Sequence, residues 1–253
     1  MTRLPARSPA CLLLTATIQV KQDLVFTARK DTATRLRDYV GALTRWLAHP
    51  DVQQVVFVEN SGYDLAPLQA IASRVPHKTV EFVSFTAPPF DGALGKGYGE
   101  MLCLQHALQH STLLATASRF VKVTGRYFLA NASQFLGLLE QRPDADAVCD
   151  LLLNLSWADS RVFAGSTDFL HRYLFPLRDQ VNDSQGVNFE HVLARAVHAC
   201  MADGGTWIEP PFPLLIEGVS GSQGRPWQMS LKSRLAQRIR HRLFARFLAT
   251  GPS

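Results

Sequence analysis

Lys122-Val-Thr-Gly-Arg-Tyr-Phe-Leu-Ala-Asn131 reads as the end of a buried strand that breaks abruptly into a charged turn. Phe120, Val121 and Val123 make a short apolar run, Gly125 suits a sharp turn, and a helix is expected to restart near Asn131. In an open α/β sheet, ligands bind outside the carboxyl ends of the strands. Lys122 and Arg126 at such an end are expected to face an anion, of which a nucleoside diphosphate is the commonest candidate. Arg126 brings a planar, permanently charged fork suited to phosphate. The plainer reading of the same residues is a salt-bridged surface turn with Tyr127 and Phe128 as core anchors.

Around this stretch, strand-like and helix-like segments alternate. Leu12–Val20 is rich in Leu and β-branched residues and reads as a first strand. Thr32–Leu47 carries Leu36, Tyr39, Val40, Leu43 and Leu47 at helical spacing, stopped by His49-Pro50. Val55–Val58 reads as a second strand ending in the turn-rich tip Glu59-Asn-Ser-Gly62, Asp64–Ser73 as a helix, and Val80–Phe85 as a third strand. Gly97–Gln109 is helical in pattern, and Phe120–Val123 is the fourth strand. The alternation predicts an α/β fold, a Rossmann-like and mostly parallel sheet flanked by helices. The second half is less regular. Ala147–Leu155 and Arg161–Ala164 read as paired strands, Phe189–Met201 as a helix, and Trp207–Ile208 and Leu214–Ile216 as short strands. No repeat or low-complexity linker interrupts the chain. One domain over 1–228 is expected, with a basic amphipathic helix or tail over 229–253.

The 253 residues, 47% hydrophobic and 19% charged, can bury a sizeable core and exclude a disordered or fibrous chain. Cys11, Cys103, Cys149 and Cys200 share no metal-binding spacing and read as reduced core cysteines of a cytosolic protein. Arg3 and Arg7 before Cys11–Ile18 faintly imitate a secretory signal, but the apolar run is short and interrupted by Thr, so a core strand is expected. The net charge of +5 is concentrated late. Between Ser230 and Ala249 stand Lys232, Arg234, Arg238, Arg240, Arg242 and Arg246 and no acidic residue, beside an apolar stripe of Leu231, Leu235, Ile239, Leu243 and Phe247. Such a helix suits an anionic membrane surface; it equally suits a stripe packed on the domain with solvated arginines.

Gly95-Lys-Gly-Tyr-Gly-Glu100 opens a helix, so its backbone N–H groups are expected to cradle an anion. It is neither a Walker A loop nor a dinucleotide fingerprint, and a flexible turn with a helix cap is the competing account. Asp144-Ala-Asp146 follows Arg142-Pro143 in a loop and reads as a solvated turn, not a metal site. His106 and His110 lie four apart on one helix without an acidic partner and read as surface residues.

The strand order, the acidic tip Glu59-Asn60, Lys96-Gly97 and Lys122-Val-Thr-Gly-Arg126 resemble small bacterial glycosyltransferases of the GT-A type. Those of lipopolysaccharide, capsule or other surface-glycan assembly are the most similar, over roughly residues 12–222. The resemblance implies transfer of a sugar from a nucleotide-activated donor to a hydroxyl of a glycan or lipid-linked acceptor. In most such enzymes an Asp-x-Asp at the end of the fourth strand holds a divalent cation on the donor diphosphate. Thr124-Gly125-Arg126 stands there instead, so a metal-independent enzyme without cofactor is expected, its leaving diphosphate neutralised by Lys96, Lys122 and Arg126. Thr15, Thr17, Glu59 and Asn60 would contact the nucleoside, and Gly97, Thr124 and Gly125 would complete the donor site. Tyr127, Glu217 and Ser220 would serve the acceptor or a closing loop.

The resemblance also implies an acidic pair opening a helix in the second half. Asn188-Phe-Glu-His191 supplies Glu190 and His191, either of which could be the general base, unless the enzyme is retaining. Glu190 is favoured, with Asp159 and Asp183 in reserve; a purely electrostatic role for Glu190 at the helix start is the alternative. The expected location is cytoplasmic, with the tail holding the protein to the inner membrane face. Two rivals are carried. A nucleotidyltransferase making an activated sugar would need a glycine-rich loop after the first strand, where Gln19-Val-Lys-Gln-Asp23 stands. A non-enzymatic membrane- or nucleic-acid-binding module would draw on the basic charge, but no nucleic-acid recognition motif appears and no nucleic acid is expected.

Overall fold

The computed structural model describes residues 10–20, 28–220, 226–227 and 239. Its strands are β1 Cys11–Ala16, β2 Gln54–Glu59, β3 Thr79–Ser84, β4 Arg119–Thr124, β5 Tyr127–Leu129, β6 Ala147–Val148, β7 Leu151–Leu152, β8 Trp157–Ala158, β9 Val162–Ser166, β10 Trp207–Ile208, β11 Ile216–Val219 and β12 Pro226–Trp227. The helices are α1 Thr32–Ala48, α2 Ala66–Ala72, α3 Gly95–His110, α4 Thr112–Thr116, α5 Ala132–Gln141, α6 Thr167–Phe169 and α7 Phe189–Ala202. Seven strands form the central sheet in the order β10-β6-β9-β4-β1-β2-β3. β4, β1, β2 and β3 run parallel, whereas β9 is antiparallel to both β4 and β6. This is the mixed α/β, mostly parallel sheet flanked by helices that the alternation of segments predicts.

Strand alternation divides the core in two. Leu12, Leu14, Val121 and Val123 face α1 and α5, packing on Tyr39, Leu43, Trp46 and Phe135. Cys11, Leu13 and Phe120 face α3 and α7, packing on Met101, Leu104, Val192 and Val197. Lys122 shares the face of Phe120, and it is wholly buried. The α3–α7 contact depends on Gly97: a Cβ there would lie 2.9 Å from Phe189 Cβ and 3.3 Å from Val181 Cγ1. Gly97→Val is therefore expected to lower stability by about 3 kcal/mol, at the upper end of overpacking costs, read by urea unfolding.

Three expected segments are corrected. The first strand stops at Ala16 because the next donors turn to side chains: Thr17 N–H donates to the Tyr39 hydroxyl at 3.1 Å and Ile18 N–H to Glu59 Oε1 at 2.9 Å. The run Ala147–Leu155 is broken, because Leu153, Asn154 and Leu155 take φ values of 48°, 57° and 64° and reverse the chain into the β7–β8 hairpin. Each non-glycine residue in that region costs about 1–2 kcal/mol, so the hairpin tip is held by its surroundings. Leu155 packs against the core and its carbonyl accepts from His198 Nε2 at 2.9 Å. The late strand begins at Ile216 and runs to Val219, since Leu215 N–H is taken by Asn131 Oδ1 at 2.9 Å. β11 pairs with β5 and β12 in a separate antiparallel sheet. The basic helix expected over 229–253 lies outside the described residues, apart from Ile239. Among the described residues no helix is long and apolar enough to cross a membrane.

Candidate functional site

Parallel pairing sets Thr15 of β1 beside Thr124 of β4, both at the carboxyl ends of their strands. Their hydroxyls donate to Glu100 Oε1 of α3, at 2.8 and 2.9 Å. The Lys122 ammonium reaches the same oxygen at 2.5 Å and also donates to Thr124 Oγ1 at 3.1 Å and to the Ser160 carbonyl. Burial alone would raise the pKa of Glu100; the adjacent ammonium and the hydroxyl donors outweigh it and hold the carboxyl below its ordinary value. This neutralised, hydrogen-bonded cluster is the floor of a cleft of about 290 Å³.

Above the floor the cleft is walled by arginines. After β4 the chain crosses the end of β1, with Gly125 N–H donating to Thr15 O at 2.8 Å. A Cβ on Gly125 would stand 2.8 Å from that oxygen, so the crossing needs glycine. Arg126 then lies on the wall, its Nε buried and without a hydrogen-bond partner among the described residues. Arg35 of α1 lines the same cleft, fixed by the Thr17 carbonyl at 2.7 Å and by Tyr39 Oη at 3.0 Å. Burial, with the nearby charge of Arg126, pushes the Arg35 pKa down. Arg161 precedes β9 and is oriented by a two-pronged contact to Asp159 at 2.8 and 2.5 Å. Glu190 in the first turn of α7 faces them, accepting from Ser160 Oγ at 2.9 Å.

A second compartment of about 330 Å³ adjoins the first and shares Lys96, Glu100, Trp157 and Glu190 with it. It lies at the start of α3, where the glycine-rich segment is expected from sequence to cradle a ligand anion. That expectation is corrected. The Asp183 carboxylate occupies the cradle, accepting from the backbone N–H groups of Lys96 and Gly97. Gly95, at φ 80°, has no room for a side chain, since a Cβ would fall 2.0 Å from Asp183 Oδ2. Burial raises the Asp183 pKa, Lys96 lowers it and Glu190 raises it further, with a net upward shift.

The expected site residues divide accordingly. Thr15, Thr17, Lys96, Thr124, Arg126, Tyr127, Glu190 and Ser220 line the first compartment. Lys122 does not; it is spent on Glu100 beneath the floor. Glu59 is fully buried, and its carboxylate accepts from the backbone N–H groups of Ile18, Ser61 and Tyr63, which makes it a clamp for the β2 tip. Asn60 bridges Thr17 Oγ1 at 2.7 Å and the Gly99 carbonyl at 3.0 Å. Glu217 pairs with Arg45 at 2.5 Å outside the cleft. His191 caps α7, its Nδ1 accepting from Asn188 N–H at 3.2 Å. Gly97 and Gly125 act through backbone and packing. Of the reserves, Asp159 is engaged by Arg161. Arg35, Glu100, Trp157, Ser160 and Arg161 are lining residues that the sequence patterns do not single out. Arg35 stands four residues before Tyr39 on the buried stripe of α1, which is the signal that could have found it.

Asp144 pairs with Arg142 at 2.8 Å, and Asp146 Oδ2 accepts from Thr206 N–H at 2.8 Å, both away from the cleft. Among the described residues, no three His, Cys, Asp or Glu side chains are gathered so as to hold a metal ion. The turn after β4 offers a hydroxyl, a glycine and a guanidinium, a donor set that does not suit a divalent cation.

No family model matches the chain, and no curated protein matches it in sequence. Solved structures resemble it in fold outline. A protein described as a nucleotide-diphospho-sugar transferase from Desulfovibrio desulfuricans G20 is 13% identical, with 80% of this chain and 79% of that one covered, at a TM-score of 0.49. The mannosyltransferase PcManGT from Pyrobaculum calidifontis, solved with GDP-Man and Mn2+, is 16% identical over 98% of this chain and 66% of its own, also at 0.49. A cytidylyltransferase from Leptospira borgpetersenii is 11% identical over 79% and 75%, at 0.44. These likenesses are to the arrangement of sheet and helices, and no activity follows from them.

Proposed function

We propose that the chain is a glycosyltransferase of GT-A type that moves a sugar from a nucleoside-diphosphate donor to a hydroxyl, with arginines in place of a divalent cation. The observation that carries this reading is Arg126. A permanent charge stands half-buried at the carboxyl end of β4, its Nε–H shielded from solvent and without a partner among the described residues, and Arg35 and Arg161 line the same cleft. Burying an unpaired donor is costly unless a ligand completes it, and the like charges of Arg35 and Arg126, close enough to lower the Arg35 pKa, favour an anion beside them. Lys122 and Glu100 cancel one another below and Asp159 offsets Arg161, so Arg35, Arg126 and Lys96 outweigh Glu190 and set the sign of the cleft. The acceptor oxygen would bond to the anomeric carbon as the bond from that carbon to the diphosphate oxygen breaks. The hydroxyl proton passes to Glu190, and the nucleoside diphosphate leaves with the bonding pair, its charge met by Arg126, Arg35 and Arg161.

Thermal-shift and titration measurements with UDP, GDP and TDP, with EDTA or with Mg2+ or Mn2+, test the donor site. Binding of one nucleotide in EDTA is expected, and Arg126→Met should weaken it by about 1.5–3 kcal/mol, roughly 10- to 100-fold. Stabilisation that requires metal would overturn the arginine proposal, and no stabilisation by any nucleotide would overturn the donor site. Formation of a sugar nucleotide from a nucleoside triphosphate and a sugar 1-phosphate would favour the nucleotidyltransferase instead.

The acceptor in this proposal belongs to bacterial surface-polysaccharide assembly at the inner face of the membrane, reached through the basic residues after Ser230. Truncation after 229 is expected to abolish sedimentation with vesicles containing anionic lipid and to leave nucleotide binding unchanged. Undiminished sedimentation would remove the tail as anchor.

A further inference from the structure

The compartment at the start of α3 has a chemistry opposite to that of the arginine-walled one, although the two share Glu190, Trp157 and Lys96. Asp183 fills the amide cradle that would otherwise take a phosphate, and it leaves no space at Gly95 for a second anion. Glu190 looks into the same space, so an incoming phosphate would meet the carboxylates of Asp183 and Glu190 beside the ammonium of Lys96. Trp157 supplies a half-buried indole on the wall, at the foot of the strained Leu153–Leu155 turn that fixes its position. Carboxylates accept from hydroxyl groups, and an aromatic face packs against the apolar C–H face of a ring; together they suit a polyhydroxylated ring.

Resting on the donor reading above, we infer that this second compartment is the acceptor subsite and that it takes an uncharged sugar ring, presented as a hydroxyl nucleophile and not as a phosphate. Glu190, on the boundary, is then within the walls of both donor and acceptor spaces, as a base serving the hydroxyl must be. Asp183 accepts from a neighbouring hydroxyl of the same ring while its backbone contacts hold it in place. Its carboxyl is raised by burial and by Glu190, in keeping with two acidic groups sharing one small space. The attacking unit is thereby an already glycosylated acceptor, so the preceding reaction must be one that places a first sugar on its carrier.

The test uses the full chain and saturation-transfer NMR. UDP, GDP and TDP are titrated first, which reports on the donor reading alone. With the bound nucleotide saturating, octyl β-D-glucoside, octyl β-D-galactoside and octyl α-D-mannoside, below their micellar concentrations, are compared with decyl phosphate. At least one neutral glycoside is expected to give saturable transfer to its ring protons, and decyl phosphate is expected neither to bind there nor to compete. Trp157→Leu should abolish the glycoside signal. Asp183→Asn, which keeps the backbone contacts, should weaken it about 10-fold while leaving nucleotide affinity within twofold. Decyl phosphate displacing the glycoside, no response from any glycoside with nucleotide bound, or an unchanged signal in both variants overturns the acceptor assignment and leaves the donor site standing. Failure of every nucleotide to bind overturns both.

Discussion

Lys122→Met is expected to lower the stability of the fold by about 3 kcal/mol, and the double variant Lys122→Met/Glu100→Gln is expected to recover most of that loss. The single change strands a carboxylate in the core, whereas the double change leaves none. The value lies at the lower end for a broken buried pair because Glu100 keeps the hydroxyls of Thr15 and Thr124 and borders the cleft. In the double variant a glutamine oxygen still accepts from those hydroxyls, and no unpaired charge remains in the core. The pH dependence gives an independent sign. With its pKa held below the ordinary 4.5, the Glu100 carboxylate contributes stability that is full above about pH 4.5 and lost as the pH falls through the lower folded value. Without the ammonium, burial dominates and the folded pKa rises. The contribution of Glu100 then reverses, and Lys122→Met should gain stability relative to wild type as the pH falls from 8 to 5. Urea denaturation at several pH values reads both. If Lys122 instead served a ligand phosphate, Lys122→Met would keep its stability and lose nucleotide affinity.

Lys122 shows where reading the chain succeeds and where it stops. The apolar run around it, the helical stripe of Thr32–Leu47 and the strand at Val55–Val58 are periodic over many residues, and periodicity reports which face is buried. The mostly parallel sheet follows from that. The fate of a single charge inside the run does not, because its partner Glu100 lies on α3, an element earlier in the chain, and becomes a neighbour only through packing. Glu59 and Asn60 mislead for the same reason. A polar pair at a strand end looks like a ligand contact, yet here Glu59 accepts the backbone N–H groups around the β2 tip and Asn60 ties the Thr17 hydroxyl to the Gly99 carbonyl. Arg126 is different, since its position depends on the local turn at Gly125 and on the strand that precedes it, both written in adjacent residues. The glycine-rich start of α3 is legible as an anion cradle, but its occupant, Asp183, comes from a loop far along the chain.

Glu190→Gln is expected to reduce the turnover of sugar transfer by about 10²- to 10⁴-fold, the range for loss of a general base, with nucleotide affinity unchanged. The glutamine keeps the size of the side chain and an oxygen to accept from Ser160 Oγ, which sits 2.9 Å from the carboxylate in the wild type. The geometry of the wall therefore survives and only the basic oxygen is lost. His191 provides the contrast. Its ring nitrogen is occupied with Asn188 N–H at the start of α7, so His191→Ala should cost about 1 kcal/mol as a lost cap and leave turnover per folded molecule intact. Ser160→Ala tests positioning: with the carboxylate freed on one side, turnover should fall less than in Glu190→Gln. A single-turnover assay with the preferred sugar nucleotide separates these effects from product release. Full activity in Glu190→Gln would transfer the role to Asp183, the other carboxylate in the shared space. That outcome is chemically coherent, since burial already makes the Asp183 carboxylate more basic than an ordinary aspartate, and it would make Asp183→Asn the inactive variant.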